Sequence, residues 1–234
     1  VADSSFDAWS KYYRQDENAP NAIVSYYGKG SLIALAFDLT IRAKTEGKKS
    51  LDDIMLALWQ RFGHDFYPTV GRGITEAEVE ALFDEVSGLK LKPMFDRYIR
   101  GTEDLPLAKM FAPFGVKLAD ERKNAKRSLD ASVGREGGDA KLSQVHEDGA
   151  AHRGGMSAGD VLVAVDGLRV GGTPNNLDAL LARYKVGDSV NVHAFRRDEL
   201  MEFKVTLQGC RVPGVTLAAP EKKVKGLVRP SAVR

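Results

Sequence analysis

The amino-acid sequence predicts an α+β protein: a helical domain over residues 1–107, a β-rich domain over 112–209 and a C-terminal tail over 210–234. Three observations predict it. Apolar residues recur at helical spacing through the first hundred or so positions. After Pro106 they give way to short runs bounded by Gly and Asp, some alternating apolar with polar. Pro106 and Pro113 bracket the change as a linker.

Four helices follow from spacing and end signals. Residues 29–44 place Leu32, Leu35, Ala36 and Leu39 on one face. Residues 50–63 open with Ser50 and Asp53, a capping box with Asp in the usual Glu position, and continue with Leu51, Ile54, Met55, Leu58, Trp59 and Phe62. Residues 75–88 open with the box Thr75/Glu78, carry Val79, Leu82, Phe83 and Val86, and end on Gly88 as C-cap. The last runs over about 92–100, with Pro93 in its first turn and Gly101 just past its end.

Beyond the linker, residues 115–118, 129–133, 141–146 and 161–165 read as strands. A helix over 174–184 starts from Thr173 as N-cap and Pro174 at its first position. Residues 189–195 and 201–207 alternate as two strands around the turn Arg197-Asp198-Glu199. The tail carries Lys222, Lys223, Lys225, Arg229 and Arg234 without interleaved aromatics, so it reads as a solvated segment.

Composition excludes several classes. The chain has 234 residues, 43% hydrophobic and 28% charged, with a net charge of +2, too small to argue for nucleic acid. A single cysteine, Cys210, rules out a disulfide within these residues and any Cys-based zinc site. No apolar run approaches the roughly 20 residues of a membrane span. A soluble protein is expected, with cytoplasm and periplasm both open. No Gly-Lys-Ser/Thr follows a strand, so there is no phosphate loop, and Gly134–Gly138 contains no nucleophilic Ser. The chain starts at Val1 and reads as part of something longer.

The stretch from Gly149-Ala150-Ala151 through Gly159-Asp160-Val161-Leu162 to Val165-Asp166-Gly167 resembles a PDZ domain. The small residues let a short helix pack closely, Gly159 turns the chain into a strand, and Asp166-Gly167 makes the tight turn after it. The strand order resembles the circularly permuted bacterial type, closed by 189–195 and 201–207. The resemblance implies binding of extended peptides by strand addition, with the peptide carboxylate held in a backbone nest. By position that loop is Ser128-Leu129-Asp130-Ala131, preceded by Arg127. The family pattern is Gly-Leu-Gly-aliphatic, and Asp130 departs from it. A carboxylate there repels a peptide carboxylate unless it points to solvent or Arg127 or Lys126 offsets it. Leu177, Leu180 or Leu181 would form the other groove wall; leucines so spaced equally describe core.

Residues Ser25-Tyr26-Tyr27-Gly28-Lys29-Gly30, leading into Asp38-Leu39-Thr40-Ile41-Arg42, resemble the glycyl aminopeptidase family of gluzincin-clan zinc metallopeptidases, whose members carry a C-terminal PDZ domain. Phe6–Arg14, Glu17–Asn21 and Phe95–Pro106 fit the same family in order. The resemblance implies that Tyr27, with Tyr26 as second choice, donates a hydrogen bond to the oxyanion of the tetrahedral intermediate. It also implies zinc in the full-length parent. The His-Glu-x-x-His ligand motif is absent: His64, His146, His152 and His193 have no histidine partner at the required spacing. The expectation is therefore the C-terminal part of a zinc aminopeptidase preferring N-terminal Gly or Ala, inactive alone, whose partners are peptides and the missing N-terminal part. An exposed helical face could also recruit a second copy. The alternative is a non-catalytic PDZ peptide-binding module on a helical scaffold, with no nucleic-acid partner.

Overall fold

The computed structural model describes residues 1–67, 71–120, 126–171, 174–209 and 215–218. Thr173, Cys210 and the basic tail lie outside the described residues. The chain divides into two compact units. The first contains Val1–Ala8 and Val24–Ala119; the second contains Trp9–Ile23 and Asp120–Thr216.

The first unit is helical. Helix α1 (Tyr26–Lys44) begins at Ser25, whose Oγ accepts the Gly28 amide at 3.1 Å. Helix α2 (Leu51–Leu58) opens on the predicted Ser50/Asp53 pair, with Asp53 accepting the Ser50 amide at 2.8 Å, and continues into a wider turn over Trp59–Gly63. Helix α3 (Glu76–Ser87) carries the Thr75/Glu78 box and ends at Gly88, φ +70°, a left-handed cap that glycine adopts without strain. Lys92–Met94 and the wider turns Phe95–Arg100 complete the layer, closed by Gly101 N–H on the Asp96 carbonyl.

Ile33, Phe37 and Ile41 of α1 pack against Ile54, Leu91, Phe95 and Tyr98. The rings of Phe37, Phe83 and Phe95 meet at 4.8–5.2 Å. The predicted face of α1 is thus rotated: Ala36 and Leu39 are buried, but Leu32 is exposed and Ile33 takes the core position. Met55 of α2 and Trp59 just past its end are also exposed: of that wide apolar stripe Ile54 is buried, with Leu51 and Leu58 packed beside it partly buried. Asp38 explains the Asp-Leu-x-Ile-Arg pattern locally. Its carboxylate accepts from Arg42 Nε at 2.7 Å and from the Leu51 amide at 2.9 Å, pinning α1 to the start of α2.

The second unit carries a β-sheet. Its strands are β3 (Ala131–Glu136), β4 (Asp139–Val145), β5 (Val161–Val165), β7 (Ser189–Arg196) and β8 (Glu199–Thr206), in the order β3-β4-β5-β7-β8, with β6 (Leu168–Arg169) on β5. A second pair joins β2 (Arg127–Ser128) to β9 (Gln208–Gly209). β1 (Lys117–Asp120) pairs with β10 (Val215–Ala218), a strand that the aperiodic sequence there does not predict. Two-residue turns close both hairpins: Gly137-Gly138 between Glu136 and Asp139, and Arg197-Asp198 between Arg196 and Glu199. All four turn residues have positive φ, as such loops require. Helices α4 (Ala150–Arg153) and α5 (Pro174–Leu181) cover the sheet. Ala150 and Ala151 are fully buried and join Leu142, Leu162, Val190, Val192 and Val205 in one core. No helix among the described residues is long and apolar enough to cross a membrane.

Candidate functional site

Tyr26 and Tyr27 are the first two residues of α1, at the positive end of its backbone dipole. Their rings lie against each other at 4.3 Å. Tyr27 is 58% exposed and Tyr26 is half-buried, so neither phenol is lost in the core. Such a pair can present a hydroxyl donor to a group outside this unit. Arg42, Asp38 and the capped N-terminus fix the helix that carries it.

The loop predicted to take a peptide carboxylate lies between β2 and β3. Arg127, Ser128 and Ala131 are half-buried; Leu129 and Asp130 are buried. Asp130 stands at φ +57°, the left-handed conformation for which the family pattern uses glycine and which Asp tolerates better than most residues. Its side chain does not turn to solvent: the residue is 3% exposed. Its amide donates to Ser128 Oγ at 2.8 Å, so a backbone donor that a nest would offer is already engaged. The Asp130 carbonyl accepts the His146 amide at 3.1 Å, and the Leu129 carbonyl accepts that of Ala151 at 2.7 Å. Lys126 and Arg127 line a cleft of about 220 Å³ with Asp178 and Ala182, placing two cations beside the loop. Strand β3 lies at the sheet edge. Leu177, Leu180 and Leu181 are 6%, 8% and 2% exposed and sit in the core cluster, where they hold α5 on the sheet.

The sequence reading does not single out the polar centre of this unit. Asp160, 1% exposed, accepts from Arg196 Nε and Nη2, both at 2.8 Å, and from the Ser157 amide at 2.8 Å. Arg196 also donates to the Gly155 carbonyl at 2.9 Å and lies 4.9 Å over the Phe203 ring. The hydrogen bonds that Arg196 donates to Asp160 hold the guanidinium above its already high range, against the burial that lowers it. The only advance signal is Gly-Asp before an apolar strand; the arginine partner, 36 positions away, has none.

Among the described residues, no three His, Cys, Asp or Glu side chains are grouped to hold a metal ion. His64 lies 2.6 Å from Asp65 on the surface, His152 accepts the Asp148 amide, and His193 stands opposite Glu202 on β8. This donor set does not fit zinc.

Residues 1–33 match the M61 glycyl aminopeptidase family, and residues 114–207 match the PDZ domain family. A solved aminopeptidase N family protein from Idiomarina loihiensis aligns over 97% of this chain at 33% identity and a TM-score of 0.82, covering 40% of that protein. The serine protease Do-like HtrA of Lactobacillus helveticus is 38% identical over 68 residues, 29% of this chain and 16% of its own. The HtrA3 PDZ domain, solved with a phage-derived ligand, covers 44% of this chain and 92% of its own at 14% identity and a TM-score of 0.30. The chain thus spans two-fifths of the aminopeptidase it follows almost end to end.

Proposed function

We propose, from a chain that joins M61 glycyl aminopeptidase sequence to a PDZ domain, that it serves a zinc aminopeptidase acting on peptides with N-terminal Gly or Ala. What carries this reading is the alignment with the aminopeptidase N family protein through both units, at 33% identity over 97% of the chain. In this reading Tyr27 donates to the oxyanion as the peptide bond is attacked, with Tyr26 as the alternative donor. When bound, zinc would supply the Lewis acid; the sequence holds no His-Glu-x-x-His to ligate it, so on this reading the 234-residue chain alone is inactive. The exposed Met55, Leu56 and Trp59 then rest against the remainder of the peptidase.

The test is Tyr27→Phe in the whole zinc-loaded protein, assayed on Gly-, Ala- and Leu-peptides. Loss of one oxyanion donor lowers kcat by about a hundredfold or more with little change in KM. Unchanged turnover removes Tyr27 from catalysis, and the same result for Tyr26→Phe removes the alternative. Equal rates on all three peptides end the Gly/Ala preference.

A second role for the same chain is supported by edge strand β3 beside the Lys126/Arg127 cleft. An extended peptide adds to β3, and its C-terminal carboxylate contributes little because Asp130 stands in the loop. On a decapeptide array, free-acid and amidated versions then bind alike. Asp130→Gly, which suits φ +57°, tightens the free acids by several-fold while leaving amides unchanged. An array silent to the chain and to Asp130→Gly leaves the PDZ domain a structural part.

A further inference from the structure

Residues Trp9–Ile23 belong to the same compact unit as the PDZ domain, although about a hundred residues separate them in sequence. One side chain makes the polar connection. Asn21 Nδ2 donates to the Val145 carbonyl at 2.9 Å, and Asn21 Oδ1 accepts the Glu147 amide at 2.9 Å. A carboxamide sets an N–H donor beside a carbonyl acceptor as a peptide group does, so Asn21 pairs with this backbone as a neighbouring strand would and has a second N–H to spare. It is itself held. Residues Ala19–Ala22 form a short helical turn, Ala19 is buried, and Asn21 Nδ2 also donates to Asn18 Oδ1 at 3.0 Å.

The two backbone groups that Asn21 grips flank His146, whose own amide donates to the Asp130 carbonyl at 3.1 Å. Val145 is also the cross-strand partner of Ala131. His146 in turn accepts the Gly149 amide at 3.0 Å, where α4 begins. The clamp therefore fixes the segment on which the loop Ser128–Ala131 hangs, without touching the cleft of Lys126 and Arg127.

We propose that Asn21 is a positioning residue for the peptide loop: through Val145–Glu147 it sets the Asp130 carbonyl and hence the shape in which β3 receives a peptide. The affinity arm of this proposal rests on the peptide-binding reading above; the structural arm does not. The experiment uses the full chain and compares wild type, Asn21→Ala and Asn21→Asp. Amide hydrogen exchange is read at Glu147 and His146, with the amides of β7 and β8 as internal reference. The probe is the tightest decapeptide from the array. Asn21→Ala is expected to speed exchange at both Glu147 and His146 by about tenfold or more, with the reference amides unchanged. Asn21→Asp, which keeps the acceptor for Glu147 but loses the donor to Val145, is expected to fall between. Probe affinity is expected to drop by several-fold in Asn21→Ala. Acceleration confined to Glu147, or an unchanged probe affinity, overturns the proposal. Equal acceleration of the reference amides makes Asn21 a general stability residue and overturns it as well. If wild type binds no array peptide, the peptide-binding reading fails on its own, and His146 exchange still decides whether the clamp reaches the loop.

Discussion

Replacing Arg196 by Met is expected to destabilise the PDZ unit by about 3 kcal/mol. Met keeps most of the apolar stem and removes only the fork. Asp160, 1% exposed in the wild type, then keeps the Ser157 amide as its donor and loses two 2.8 Å charge-assisted bonds. Breaking a buried ion pair from one side costs about 3–5 kcal/mol, because the surviving charge has no access to water. The 30% exposure of the arginine side chain places this case at the lower end. Its seat over Phe203 adds a fraction of a kcal/mol that is part of the same loss. In urea, where m for a small domain is about 1–1.5 kcal/mol/M, the midpoint read on β7 and β8 amides should fall by about 2–3 M with an unchanged slope. The double variant Asp160→Asn, Arg196→Met should recover part of this, since no buried charge is left behind. A loss below about 1 kcal/mol in the single variant, or a double variant worse than the sum of its parts, would refute the argument.

Two further outcomes follow from the geometry. Glu78 is held at about 2 by its hydrogen bond to Arg72 and by the Thr75 amide and hydroxyl. Because its folded value is depressed, its contribution to α3 is present above the ordinary carboxylate range and is lost as pH falls through about 2. An NMR titration of Glu78 checks this, and Arg72→Met should return the carboxyl toward its usual range. Gly149→Ala would set a Cβ 2.6 Å from Asp130 Cβ and 3.0 Å from the His146 carbonyl. Both neighbours are fixed to backbone, so about 1–3 kcal/mol is expected, a drop of roughly 5–15 °C in a calorimetric Tm. Tyr27→Phe and Asp130→Gly test the two functional roles as stated above.

How much could be read in advance divides by range. Three helix ends were legible because a cap is a contract among residues three or four apart: Ser50 with Asp53, Thr75 with Glu78, Gly88 at φ +70°; the start of α1 was not, since spacing put it at 29 and Ser25 caps it at Tyr26. The turn after β7 was legible for the same reason, read one residue too long, since Glu199 already pairs with Arg196 in β8. The tyrosine pair, Tyr27 exposed and Tyr26 half-buried, was placed by a motif that is itself contiguous. The face of α1 was not legible, because Leu32 and Ile33 are equally apolar and only the position of Phe83 and Phe95 decides which turns inward. Leu177, Leu180 and Leu181 were readable as apolar at helical spacing, and their place in the core came only with the sheet beneath them.

The sequence by itself determined the helix caps, the hairpin turns, the PDZ strands and the tyrosines at the head of α1, since each depends on the dihedral and hydrogen-bonding habits of a few adjacent residues. Tertiary structure alone decided that Asp160 meets Arg196, that Asp38 reaches the Leu51 amide, and that Asn21 grips the backbone at Val145 and Glu147. Those pairings join groups 13 to 126 positions apart. Nothing local favours one distant partner over another. The choice is made when the core closes and brings these particular groups within hydrogen-bonding reach.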